Sequence, residues 1–242
     1  MIGQKIILLD EVDSTNNYTA KLLNEGKMAH GTVILAEKQT AGRGQRGSLW
    51  HSASGKQFTC SVYTATAFLS VERYWYLNLA VALAVRETIQ AFILEKAVIK
   101  WPNDILVNDK KIAGILIETQ WNSGNIMGAI IGVGINLQRE SDLSSSCSLV
   151  DFTDNNPEIL EMARQLSSLL ELQFERLRSG NWNEILQDYH AMLWKKDVLM
   201  DARIENDWEE GYIRGIDGIG NLLFEVNGEE RSFGLKEIAF AY

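Results

Sequence analysis

Apolar and polar positions repeat with two periods along this chain, and the switches between them mark its elements. "KIILLD" (5–10) reads as a strand, and Asp13, Ser14 and Thr15 can cap a helix over about 15–25 that Gly26 stops. "TVILAEK" (32–38) is a strand running into a glycine-rich loop, and "QFTCSVYT" (57–64) alternates as the strand that leaves it. Leu77, Val81, Val85, Ile89 and Phe92 fall roughly on one helical face, which predicts a long helix over 71–94. "AVIKW", "DILVN", "KIAGILIETQW" and "IMGAIIGVGINL" follow as strands with short connections, one of them the turn "NDKK". Short connections make the sheet at least partly antiparallel. Residues 138–157, rich in Ser, Asp and Asn, predict a long loop; Pro157 opens a helix to about 178, and "WNEILQDYHAML" continues in another over 182–193.

After "WKKD" the texture changes to short alternating segments split by Gly and Asn, with hairpin signals at Asp217-Gly218 and Asn227-Gly228. The expected fold class is α+β: a mixed, partly antiparallel sheet packed with helices over 1–195, and a small β-barrel over 196–242. A module of that size is near the lower limit for independent stability, so it should dock on the main domain.

The 242 residues are 46% hydrophobic, ordinary globular usage that can bury a sizeable core without staples. Cys60 and Cys147 form no C-x-x-C pair and read as buried thiols in a reducing compartment. The N-terminus lacks a signal-peptide pattern and no apolar run approaches a membrane span, so a cytoplasmic protein is expected. The net charge of −9 argues against bulk attraction to nucleic acid or acidic lipid. Local sign differs: between Lys38 and Lys56 there is no Asp or Glu, but Arg43 and Arg46 are present.

That acid-free segment contains Gly42-Arg43-Gly44-Gln45-Arg46-Gly47, a match to G-x-G-x-x-G. A dinucleotide fingerprint needs a helix after the glycine turn and an acidic residue about 20 positions on. This loop runs into another strand, and "CSVYTATAFLS" (60–70) carries no acid. Arginine forks suit phosphate, and glycines let backbone N–H groups approach it closely. The loop therefore reads as a cover over a nucleotide phosphate, with Trp50 as a flat surface that packs on a base or anchors the loop; the alternative is chance clustering of charge in a solvated loop.

Other stretches carry weaker signals. Pro102 in "IKWPNDILV" bends the chain at Asn103 and Asp104. Lys111 enters an apolar strand just before Ala113-Gly114, either solvated at the strand end or aimed at an anion. "GVGIN" (132–136) ends a strand in small residues and Asn136, as close approach to a ligand or another backbone requires. His30, His51 and His190 are far apart, and there is no nucleophile elbow or metal-spaced His/Cys set. Chemistry here would work by charge neutralisation and positioning.

Taken in order, "DSTN", "AEKQTAGRGQRGSLW", "KWPNDI", "KIAGILIE" and "GVGIN" resemble the biotin protein ligases (biotin–[acetyl-CoA-carboxylase] ligases). Each motif is weak alone, but the five stand in order at compatible spacing, and the resemblance covers nearly the whole chain. It implies a fold like that of class II aminoacyl-tRNA synthetases with a C-terminal Src-homology-type barrel. The chain begins in the catalytic domain without the helix-turn-helix of bifunctional members, so it resembles the monofunctional group, with no DNA or membrane partner expected. The implied reaction joins biotin to ATP as biotinyl-5′-AMP, with Mg²⁺ accompanying the nucleotide and no metal ligand assigned to the protein. A lysine of the biotin carboxyl carrier protein then accepts biotin. A monomer or a homodimer is compatible.

The resemblance also implies site residues. Lys111, Arg43 and Asp104 would be catalytic. Ser14, Thr15, Asn16, Gln39, Gly42, Arg43, Lys111, Gly114, Ile115, Leu116, Gly132 and Gly134 would bind biotin. Arg43, Gly44, Gln45, Arg46, Gly47, Trp50, Asn103, Asp104, Lys111, Ile135 and Asn136 would bind ATP or the adenylate, with Trp50 near the adenine. Some family members have arginine where Gln45 and Ser48 stand here, which removes two charges from the loop. A lipoate–protein ligase, similar in fold and two-step chemistry, is the nearest alternative; a non-catalytic, protein-binding homologue is the other, and the retained Arg43, Lys111, Asn103 and Asp104 weigh against it.

Overall fold

The computed structural model describes residues 1–50, 54–122, 125–139, 145–154 and 157–240. Apolar alternation builds a seven-stranded sheet from β1 (Ile6–Val12), β2 (Val33–Gln39), β3 (Gln57–Ala65), β4 (Ala97–Lys100), β5 (Asp104–Val107), β6 (Lys110–Asn122) and β7 (Asn125–Asn136), ordered β1-β2-β3-β7-β6-β5-β4. The helix α1 (Thr15–Asn24) is the crossover between β1 and β2, which therefore pair in parallel. All other neighbours in this sheet are antiparallel; short connections require this for β4–β5, β5–β6 and β6–β7, while β2 and β3 flank the glycine loop and β3 meets β7 at long range. The β5–β6 hairpin turns on Asn108 and Asp109, both at positive φ.

Three helices, α2 (Trp75–Gln90), α3 (Ile159–Arg178) and α4 (Trp182–Met192), pack together, α2 against the sheet. Leu77, Val81, Val85 and Ile89 are fully buried, as their spacing predicts. The helix is shorter than the predicted 71–94 for a local reason. Residues Val71–Arg73 form a separate 3-10 turn. At the other end the Gln90 side chain donates to the carbonyls of Ile93 and Glu95 and accepts from the Ala97 amide, folding the chain directly into β4.

The C-terminal strands β8 (Leu199–Ile204), β9 (Asp207–Ile216), β10 (Leu222–Val226), β11 (Glu229–Phe233) and β12 (Ile238–Phe240) form one antiparallel sheet, ordered β11-β10-β9-β8-β12. The expected closed barrel is corrected to an open sheet among the described residues: three-residue β12 pairs with β8 and not with β11. The Asn227-Gly228 hairpin turn forms with both residues at positive φ. The Asp217 turn is wider than a two-residue hairpin, because its carboxylate accepts the amides of Ile219 and Asn221. This sheet docks on the preceding elements through side-chain bonds. Trp101 Nε1 donates to Gly220 O at 3.0 Å, and the Ile216 amide donates to His190 Nε2 at 3.1 Å. Cys60 and Cys147 are free and buried. Among the described residues no helix is long and apolar enough to cross a membrane.

Candidate active site

Strand register decides which side chains meet. Gly114 and Leu116 of β6 lie opposite Gly134 and Gly132 of β7, and those glycines lie opposite Thr59 and Ser61 of β3. Because side chains alternate, these positions share one face, while Phe58, Val62, Ile131 and Ile135 point into the core on the other. A Cβ at Gly132 would stand 2.5 Å from Asn16 Oδ1, and one at Gly134 only 2.3 Å from the Trp50 ring. Bare backbone at these two positions is what lets α1 and the glycine loop close over the sheet. The result is a cavity of about 220 Å³.

One end of the cavity carries Lys111. Simple alternation would turn Lys111 away from Gly114, but the β5–β6 ladder bulges, Ile105 pairing with Ala113 and Leu106 with Lys111. The bulge sends Ile112 into the core and Lys111 toward the cavity. Its ammonium pairs with Asp104 Oδ1 at 2.7 Å and lies 5.7 Å from the Trp50 ring centroid. Its backbone is clamped: Lys111 N donates to Ser145 O at 3.0 Å, and Cys147 N donates to Lys111 O at 2.9 Å. Asn136 Nδ2 donates to both Cys147 O and Lys111 O, at 3.0 and 3.4 Å. Asn103 Nδ2 donates to Ile115 O at 2.8 Å and stitches the "KWPND" bend to β6.

The other end is a polar network at the start of α1. Ser14 occupies the N-cap position but makes no side-chain cap bond, so the expected capping hydroxyl faces the cavity lining instead. Gln39 Oε1 accepts Thr15 N at 2.8 Å and Thr15 Oγ1 at 3.1 Å. Ser61 Oγ lies 2.7 Å from Thr15 Oγ1 and 2.5 Å from Asn16 Oδ1. Asn16 Nδ2 donates to Glu118 Oε2 at 2.7 Å, and Arg43 Nη2 meets both Glu118 oxygens at 2.9 and 2.8 Å. Glu118 is four residues beyond Gly114 on β6, roughly 13 Å along the strand. Arg43 and Lys111, both expected to be catalytic, are thus each paired with a separate carboxylate.

The glycine loop is a small hairpin. Arg43 bridges Leu49, Trp50 N donates to Gly42 O at 2.9 Å, and Gly44 N donates to Ser48 O at 2.7 Å. Its tip is a 3-10 turn over Gln45–Gly47, closed by Ser48 Oγ donating to Gln45 O. Among the described residues no helix follows before β3, which agrees with the reading against a dinucleotide turn. Trp50 lies across Gly114 and Gly134, with its buried Nε1 unpartnered among the described residues. The Arg46 side chain and His51 lie outside the described residues.

A second, wider groove of about 620 Å³ adjoins the first, sharing Gln45 and Asp104 with it. It runs between the two sheets and carries Lys100, Arg203 and Lys236. Burial pushes Lys100 down to about 8, with Lys111 nearby acting in the same direction and Asp104 opposing it. Among the described residues no cluster of three or more His, Cys, Asp or Glu could hold a metal ion.

Most of the predicted residues line this cavity, including Ser14, Thr15, Asn16, Gln39, Arg43, Asn103, Asp104 and Lys111. Gly42, Gly47, Ile135 and Asn136 do not: Gly42 and Gly47 shape the loop hairpin, Ile135 is core and Asn136 braces Lys111. Sequence reasoning missed Ser61 and Glu118. Both sit in ordinary alternating strands, and only parity with Gly114, Gly132 and Leu116 could have flagged them.

A family model described as the biotin/lipoate A/B protein ligase family matches residues 8–136. This chain belongs to that family. The part of this ligase-family chain that matches runs from β1 to the end of β7 and holds every lining residue named for the first cavity. It is 34% identical to the bifunctional ligase/repressor BirA of Bacillus spizizenii, over 93% of this chain and 71% of that protein. It is 30% identical to the biotin–[acetyl-CoA-carboxylase] ligase of Mycobacterium tuberculosis, over 91% of this chain and 84% of the relative. A structure of biotin protein ligase from Aquifex aeolicus in complex with biotin and ATP superimposes with a TM-score of 0.81 at 21% identity, covering 98% of this chain and 99% of that one. That likeness establishes the fold, C-terminal sheet included.

Proposed function

We propose that this chain is an ATP-dependent biotin–protein ligase that forms biotinyl-5′-AMP and transfers biotin to a lysine of a biotin carboxyl carrier protein. The observation that carries this reading is the glycine-floored cavity with a hydrogen-bonding network at one end and a lysine at the other. A bicyclic urea with an acid tail matches that polarity: the ring urea faces Thr15, Asn16, Gln39 and Ser61, and the carboxylate reaches toward Lys111.

In the first step a biotin carboxylate oxygen attacks the α-phosphorus of ATP and pyrophosphate leaves. Two anions must approach, so the Lys111 ammonium shifts from Asp104 toward the reacting oxygens and neutralises charge that grows in the transition state. In the second step the carrier amine attacks the anhydride carbonyl, AMP leaves, and Asp104 takes up the proton the amine loses. Trp50 closes over the intermediate and slows its hydrolysis. The cations of the neighbouring groove suit the departing pyrophosphate.

Mg²⁺ fits this site as an ion carried by the nucleotide: Asp104 is the only carboxylate among the described lining residues of the first cavity, and Mg²⁺ bound through phosphates, water and one carboxylate needs no more. Bound there, it would supply charge neutralisation at the phosphates. The buried free thiols and the absence of a membrane-crossing helix among the described residues accord with a cytoplasmic setting.

The test is transfer. With biotin, ATP and Mg²⁺, an isolated carrier domain should gain one biotin by mass, and the carrier with its acceptor lysine replaced by arginine should gain none. Equal labelling of both carriers, or of neither, contradicts the reading.

A further inference from the structure

Glu118 does not line the cavity, yet it holds two residues that do. Its carboxylate takes Arg43 Nη2 on both oxygens, at 2.9 and 2.8 Å, and Asn16 Nδ2 on one of them, at 2.7 Å. An ordinary surface ion pair would join two freely solvated side chains. Here Glu118 is 32% exposed, and the Asn16 it anchors is only 3% exposed, wedged against Gly132.

We propose that Glu118 is a positioning residue for recognition of the ring end of biotin, a role that rests on the ligase reading above. The reasoning concerns donors and acceptors. An ionised carboxylate only accepts, so it fixes the Asn16 amide with Nδ2 toward β6 and Oδ1 toward Ser61. It likewise holds the guanidinium of Arg43, which lines the same cavity as Thr15 and Gln39. A cyclic urea offers two N–H donors and one carbonyl, so binding depends on which lining atoms accept and which donate. Glu118 sets that polarity for Asn16 and, through Asn16, for Ser61.

Glu118→Gln keeps the shape and changes the pattern. A glutamine has one acceptor oxygen and an NH₂ that must face either Arg43 or Asn16. Facing Arg43, it sets donor against donor; facing Asn16, it turns that amide over and reverses the Asn16–Ser61 hydrogen bond, so that Ser61 accepts where it had donated. Lys111 and Asp104 pair with each other, and Arg43, expected at the adenylate as well, is held on Glu118 apart from them, so the effect falls mainly on biotin.

Biotin-dependent exchange of pyrophosphate into ATP reads both substrates separately. Glu118→Gln should raise the KM for biotin by about tenfold or more, while the KM for ATP stays within about twofold. Glu118→Asp, still an acceptor-only group, should recover part of that loss, and it carries the same test if the glutamine variant does not fold. An unchanged KM for biotin, or equal losses for both substrates, overturns the assignment and leaves Glu118 as scaffold. A parent enzyme without biotin-dependent exchange overturns the ligase reading, and this proposal with it.

Discussion

Lys111 faces the cavity because the strand bulges beside it, and its ammonium sits 2.7 Å from Asp104 in a half-buried pair. Lys111→Ala should slow adenylate formation by roughly a hundredfold or more, on the scale of about 3 kcal/mol for a lost contact to developing charge. Its thermal midpoint should move little, since the pair is partly solvated and the backbone clamp from Ser145 and Cys147 remains. Single-turnover pyrophosphate release beside a melting curve checks both halves. At this scale the sequence was informative wherever a residue looked out of place: a lysine entering an apolar strand, an Asn-Asp pair after proline, arginines among glycines. It was silent on Ser61 and Glu118, which look like any polar residue on a strand. Their meaning comes from register across β3, β7 and β6, a long-range property. Arg43 was legible as a candidate and lines the cavity, but its pairing with Glu118 was not legible, because the two are 75 positions apart.

Among the elements, the hairpin over Gly42–Trp50 and the glycine floor fit as a unit. A Cβ at Gly134 would stand 2.3–2.8 Å from three atoms of the Trp50 ring. Gly134→Ala should therefore expel the indole from its seat, with biotin affinity falling by about tenfold or more by calorimetric titration. The β7 strand should persist, since alanine tolerates extended backbone, and the circular dichroism spectrum should be unchanged. Elements with strong periodicity were read correctly from sequence to within a few residues. The errors lie where side chains redirect the chain. Gln90 ends α2 early by bonding ahead to Ile93, Glu95 and Ala97. Within the predicted loop, Ser146 pairs with Lys111, and Leu149–Asp151 form a 3-10 turn with a capping box at Ser148. The short-strand texture after residue 195 was legible; closure was not, because pairing of β11 with β12 depends on curvature that no local pattern records.

At the scale of the whole molecule, the C-terminal sheet is held by contacts that include a titratable one. His190 Nε2 accepts the Ile216 amide, which requires a neutral ring at that nitrogen, and burial lowers the His190 pKa below 6.5, with Lys196 acting in the same direction and Asp197 opposing it. The folded state thus takes up this proton less readily than the unfolded chain. Stability from this contact is complete above the unfolded value near 6.5 and is lost as pH falls through it toward the folded pKa. His30, which accepts the Ala65 amide and is also lowered by burial, acts in the same window and direction. The melting temperature should drop between about pH 7.5 and 5.5. In His190→Gln that drop should be smaller; an equal drop in the variant would remove His190 from the account.

The central claim is chemical: the cavity activates the acid of biotin with ATP. Mass detection of the nucleotide-bound product, after the enzyme is mixed with ATP, Mg²⁺ and either biotin or lipoate and no carrier, tests it most directly. Biotinyl-AMP should appear with an equal amount of pyrophosphate in the biotin reaction alone. Lipoyl-AMP without biotinyl-AMP, or no adenylate from either acid, would contradict it.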